Sequence, residues 1–229
     1  MSYRIGVLLS GNGVYDGSEI HESVFTLLAI DENKGESVCM APNMAQHHVV
    51  NHISGGEMPE QRNVLVEAAR IARGAISDLA DMRAEDIDAL VIPGGFGAAK
   101  NLTKWAFSGP DGDIYPEVKR IINELVSARK PIVGLCMGPT VIAKALEGAG
   151  LQEHLTVGST AEPSPYEIDA ISAGMEKTGA VAEMKTIREI AIDPKNRIIT
   201  APCYMMEGSI TDVRNNIKQA IDALFELLD

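Results

Sequence analysis

The sequence predicts an α/β fold built on a doubly wound, mostly parallel sheet with helices on both faces. Three observations predict it. Strand-length aliphatic runs alternate with segments of helical period along the 229 residues. Most of those runs are near-continuously apolar, as strands buried on both faces are. Four of them end in loops, "SGNGVYDGSE", "PGGFGAAKN", "CMGP" and "TAPCYM", and such sheets place their ligands beyond strand carboxyl ends.

The elements follow in order. "YRIGVLLS" (3–10), "SVCMA" (37–41), "ALVIPGG" (89–95) and "PIVGLC" (131–136) are the clearest strand runs. "LTVGS" (155–159), "EIAID" (189–193) and "RIITA" (197–201) are weaker ones. A helix is expected over 18–30, with Ser18 as its cap and Ile20, Val24, Leu27 and Leu28 on one stripe. A second, over 116–129, repeats Val118, Ile121, Ile122 and Leu125. A third, over 210–228, aligns Val213, Ile217, Ile221, Leu224 and Leu228, with Ser209 and Thr211 as candidate caps. The polar stretch 44–63 reads as a long loop or insertion within one domain spanning 1–229.

Composition narrows the function. A formal net charge of -12 argues against nucleic-acid and anionic-membrane surfaces, which need basic patches. Three widely spaced cysteines form no disulfide framework and fit a reducing compartment. The N-terminal apolar run is too short for a signal peptide's core, so a cytoplasmic location is expected.

Cys136 closes a strand run and precedes Met-Gly-Pro and a helical pattern, "MGPTVIAKAL". A thiol raised on such a strand-to-helix turn is placed as a nucleophile, and a helix N-terminus beside it favours the thiolate. The N–H of Met137 can then serve an oxyanion, with "PGGFG" (93–97) supplying the second half of the hole. The competing explanation is a small buried core residue, which suffices for Cys39 inside its strand. Cys203 follows a strand and is placed near the site. "GSEIHE" (17–22) puts Glu19, His21 and Glu22 in a first helical turn, where acidic residues are ordinary dipole partners but can also reach the thiol. His47, His48 and His52 lack acidic or thiol partners at metal spacing and read as loop residues.

"SGNGVYDGSEIHE", "VIPGGFGAAKNL" and "TAPCYM" together resemble the ES1/ElbB group of the DJ-1/PfpI superfamily, over almost the whole chain. The resemblance implies a flavodoxin-like sheet, a homodimer, and an elbow cysteine paired with a glutamate from the helix after strand one. It makes Cys136 the nucleophile and Glu22 its partner, with Glu19 the alternative. Gly95 and Met137 would form the oxyanion hole, and Glu19, Gly94 and Cys203 would stand beside the site. Relatives of this group are described as glyoxalases acting on glyoxal or methylglyoxal without glutathione or a metal. That implies a small dicarbonyl substrate, a 2-hydroxy acid product and no cofactor. Protease-like members carry a histidine directly after the cysteine, whereas this chain has Met137. The amidotransferase His-x-Glu is also missing, since His154 is followed by Leu155 and Thr156. A redox-sensing thiol with incidental aldehyde chemistry is the alternative function.

Overall fold

The main strand runs assemble into one seven-stranded sheet in a computed structural model that describes residues 2–229. The chain opens with β1 (Arg4–Leu8), α1 (Ile20–Glu32), β2 (Glu36–Ala41), α2 (Val64–Ile71) and β3 (Ile76–Asp78). Next come β4 (Ala89–Ile92), α3 (Trp105–Ser108), α4 (Pro116–Ser127), β5 (Ile132–Leu135) and α5 (Gly138–Leu146). It closes with β6 (His154–Gly158), α6 (Ile168–Thr178), β7 (Val181–Met184), β8 (Ala191–Asp193), β9 (Ile198–Ala201) and α7 (Ile210–Leu228). The sheet order is β3-β2-β1-β4-β5-β9-β8, parallel throughout except for β8 against β9. This is the doubly wound arrangement, with its switch point between β1 and β4.

Every residue of β4, β5 and β9 is buried, which is why these strands show as unbroken apolar runs. The register pairs Leu8 with Met40, Ile92 with Gly134, and Leu135 with Ala201. The loops after β1, β4, β5 and β9 therefore meet over one end of the sheet. α1 and α7 pack on each other, and α4 and α5 form a second pair.

Several local expectations are corrected. β6 leaves the main sheet and pairs in parallel with β7 as a separate two-stranded sheet. Its Thr156 N–H reaches β9 only through the Thr200 side chain, at 2.8 Å. Ser18 does not cap α1. Its Oγ accepts from the Ser10 N–H at 2.8 Å and ties the loop after β1, while Glu19 caps the helix by accepting from the Glu22 N–H. Most of the expected stripe of α1 faces outward, with Ile20, Val24 and Leu28 exposed at 44%, 46% and 42%, while Leu27 packs half-buried against the core. Its inward face carries Glu22, Ser23 and Thr26, all fully buried, together with Ala29 and Ile30.

Segment 44–63 holds no regular helix or strand, only the isolated bridges Ala45–Asn63 and Val50–Glu57. It is pinned to the rest of the chain. The His47 N–H donates to Asn101 Oδ1 at 2.9 Å, and the Val50 N–H to Asp16 Oδ2 at 2.6 Å. Asn101 Nδ2 in turn donates to the carbonyls of Ser10 and Asp16, so one buried side chain joins three loops.

Candidate active site

The site is assembled from strand ends. The Cys136 N–H continues the β5 ladder to the Ala201 carbonyl at 2.9 Å, after which the chain turns sharply into α5. Cys136 sits on that turn at φ +56°, in the left-handed region that ordinary side chains avoid. Surrounding packing over-determines the strain, as is common where geometry serves chemistry.

Glu22 reaches the sulfur from α1. Its Oε2 accepts from the Gly94 N–H at 2.9 Å and its Oε1 from the Tyr204 N–H at 3.2 Å, while the carboxyl hydrogen-bonds the Cys136 thiol. Gly94 lies between them. A Cβ there would stand 2.4 Å from Cys136 Cβ and 2.7 Å from both Cys136 Sγ and Glu22 Oε2, so only glycine allows the two groups to meet. Gly95 follows at φ +93°, which turns its N–H toward the sulfur. The Met137 N–H points there as well.

Electrostatics here differ from the expectation of a thiolate favoured by a helix N-terminus. Burial first, then the Glu22 carboxylate, push the Cys136 thiol well above its ordinary range, and the Gly95 and Met137 N–H groups only partly oppose them. Burial and the neighbouring Glu19 likewise push Glu22 up to about 8. Burial opposes either charge, and the contacts around the pair offset that cost only in part. The first proton to leave belongs to the pair as a unit.

The other expected residues fall around this pair. Glu19 is 8% exposed and lines the cavity beside Cys136, but its carboxylate is used as the α1 cap. Cys203 does not line the cavity. It is fully buried at φ +49°, its thiol against the backbone N–H of Cys136, and its own N–H bonded to Asn216 Oδ1 at 2.9 Å. Cys39 lies apart in β2, where burial pushes its thiol up to about 11. His154 bonds Glu183 at 2.9 Å, away from the cavity.

A cavity of about 250 Å³ opens in front of the sulfur. Its walls include Val14, Phe96, Trp105, Tyr166, Ile171 and Met205, on loops and helices from across the chain. Val14, Phe96 and Met205 come from the strand-end loops that the sequence singles out, whereas Trp105, Tyr166 and Ile171 carry no motif and only the fold brings them in. Tyr204 also lines it, its hydroxyl bonded to exposed His21 at 2.9 Å. Among the described residues, no group of three or more His, Cys, Asp or Glu side chains could hold a metal ion.

Comparison with known proteins places this arrangement. The glutamine amidotransferase class-I family model matches residues 60–204. The human glutamine amidotransferase-like class 1 domain-containing protein 3, mitochondrial, is 39% identical over 228 residues, covering 98% of this chain and 83% of that protein. The rat ES1 protein homolog, mitochondrial, is 38% identical, covering 98% and 84%. The crystal structure of an isoprenoid biosynthesis protein with amidotransferase-like domain from Ehrlichia chaffeensis matches both chains in full, with a TM-score of 0.90 at 34% identity. Drosophila melanogaster DJ-1beta, at a TM-score of 0.57 and 14% identity over 100% of this chain and 94% of that one, shows the shared fold alone.

The fold and the buried cysteine–glutamate elbow thus define a class I glutamine amidotransferase-like domain of the flavodoxin-like kind. Within that class, the chain belongs to the ES1/ElbB group. The cytoplasmic expectation is corrected by the same comparison, because the human, rat and zebrafish relatives are mitochondrial proteins by name.

Proposed function

We propose that the protein is a cofactor-independent glyoxalase, converting a 2-oxoaldehyde to a 2-hydroxy acid at Cys136 and Glu22. The observation that carries this reading is the junction of one thiol, one carboxyl of raised pKa and two inward N–H groups, with no histidine among the described residues that line the cavity. Amide hydrolysis by a cysteine–histidine pair has no base in that cavity. Proton transfer between adjacent carbons needs one group that both takes and returns a proton, and a carboxyl near neutrality does both.

The reaction begins when Glu22, having lost its proton, removes the thiol proton as sulfur attacks the aldehyde carbon. The hemithioacetal oxygen forms against the Gly95 and Met137 N–H groups. Glu22 passes its proton to that oxygen, then takes the hydrogen of the former aldehyde carbon as a proton and returns it to the neighbouring carbon through an enediol. The first carbon is oxidised to a thioester and the second reduced to an alcohol, so no external electron carrier is consumed. Water cleaves the thioester, releasing the 2-hydroxy acid and restoring the thiol.

The test is glycolate formation from glyoxal in buffer free of amines and thiols. Wild type should turn over saturably, whereas Cys136→Ser and Glu22→Gln should lose about 10³-fold or more in kcat/KM. Because the reactive form lacks one of the pair's two protons, kcat/KM should rise with pH and level off above about 8. Equal inertness of all three proteins would remove the glyoxalase reading.

One observation favours a second reading. The donors around Cys136 Sγ would also hold the oxygens of a sulfinate, as a redox-sensing thiol requires. Stoichiometric oxidation of Cys136 by peroxide without aldehyde turnover would select it. For the assembly, we propose a homodimer through the outward stripe of α1, where Ile20, Val24 and Leu28 form an exposed apolar row.

A further inference from the structure

We infer that the cavity in front of Cys136 selects an uncharged carbonyl compound bearing an aryl-sized apolar group, in preference to glyoxal or methylglyoxal. The inference deepens the glyoxalase reading and rests on it for the chemistry, but not for the binding.

Size and lining carry the argument. A cavity of about 250 Å³ corresponds to roughly eight water molecules at their share of liquid volume. Glyoxal, two joined aldehyde groups, fills a minor part of that space. Cys136, Glu19, Gly95 and Met137 are all part of the lining, and the Gly95 and Met137 N–H groups serve the sulfur. The rest of the lining is aliphatic, thioether and aromatic, with Val14, Phe96, Trp105, Ile171 and Met205 beside Tyr166 and Tyr204. A substrate seated with its carbonyl at the sulfur would direct its other substituent into that wall.

Charge narrows the class further. Among the described residues, no lysine, arginine or histidine lines the cavity. Glu19 is part of its lining, and burial pushes the Tyr166 phenol up to about 12, so it remains neutral. A carboxylate or phosphate on the substrate would be desolvated without a counter-charge, beside a carboxyl group and inside a chain of net charge -12. An uncharged ring meets none of these costs. Each buried methylene-sized increment is worth about a fourfold gain. A phenyl group in place of hydrogen should therefore raise kcat/KM by about 30-fold or more.

Trp105 makes the cavity observable without chemistry, since it is the chain's one tryptophan and forms part of the wall. Two experiments test the assignment. In the first, kcat/KM is measured for glyoxal, methylglyoxal and phenylglyoxal with wild type and with Ile171→Phe, which narrows the cavity. In the second, tryptophan emission is titrated with unreactive acetophenone and with benzoate, against free tryptophan as the control for absorption.

Phenylglyoxal should lead glyoxal by about 30-fold, and Ile171→Phe should lower that ratio about 10-fold or more. Acetophenone should change the emission saturably, in wild type and in Cys136→Ser alike, and benzoate should not. A ratio at or below one, a flat acetophenone titration, or equal binding of benzoate would each overturn the assignment. Saturable acetophenone binding with no 2-oxoaldehyde turned over would instead remove the glyoxalase reading and leave the assignment of the cavity standing.

Discussion

α1 and α7 lie against each other, and each carries an apolar stripe that it uses differently. α7 buries Val213, Ile217, Ile221 and Leu224 completely. α1 turns Ile20, Val24 and Leu28 outward and buries Glu22, Ser23 and Thr26. The buried hydroxyls are satisfied locally, Ser23 by the Glu19 carbonyl and Thr26 by the Glu22 carbonyl. Glu22 is satisfied by two backbone N–H groups and a thiol. Periodicity therefore establishes that a segment is helical, while the direction of the stripe depends on what the helix must deliver to its neighbours. α7 delivers packing, and α1 delivers a carboxyl group.

The largest expected effect separates the two helices by stability. Ile217→Ala should cost about 2–5 kcal/mol in urea denaturation, because it empties a fully packed position. A cost below about 1 kcal/mol would mean that α7 is not the packing helix. The next effect belongs to the inward face of α1. Glu22 has its pKa raised from 4.5 to about 8, so between those values the folded chain holds a proton that the unfolded chain has lost. Stability should fall as pH rises through that window, by roughly 1–3 kcal/mol. Glu22→Gln should flatten much of the slope, and Glu153, pushed up to about 7 by burial, should keep a remainder. An unchanged slope in Glu22→Gln would show that the carboxyl is not held protonated.

The helix ends sharpen the contrast. Ser209 caps α7 in a reciprocal box with Asp212, whereas α1 is capped by the carboxylate of Glu19. Ser209→Ala should cost about 1 kcal/mol without touching activity. The smallest effect on stability is expected on the outward stripe of α1. Val24→Glu should change monomer stability by no more than about 0.5 kcal/mol, yet shift sedimentation from dimer to monomer. An unaltered sedimentation coefficient would remove α1 from the interface.

Much of this architecture is legible in the sequence, and the gaps have physical causes. The fully buried strands announce themselves because both their faces must be apolar. β3, "ISD", and β7, "VAEM", do not, since both are short and only partly buried. Cys136 is legible from its place after "PIVGL", and the resemblance supplies Glu22 as its partner. The choice over Glu19 becomes geometric only when the cap of α1 and the Gly94 contact are seen. Trp105, Tyr166 and Ile171 give no local signal, because a cavity wall assembled from distant segments has no spacing to read. The expected thiolate fails for a related reason: sequence shows the helix beside the cysteine but not how little water reaches it.

The ends of the main sheet bear on how the protein fares when crowded. β3 and β8 each have three residues, and β8 runs against its neighbour. An incoming strand finds only a brief ladder at either border, too short to template the stacking that seeds fibrils. Prolonged concentrated storage should therefore fail first by unfolding, with native copies remaining poor nuclei for one another.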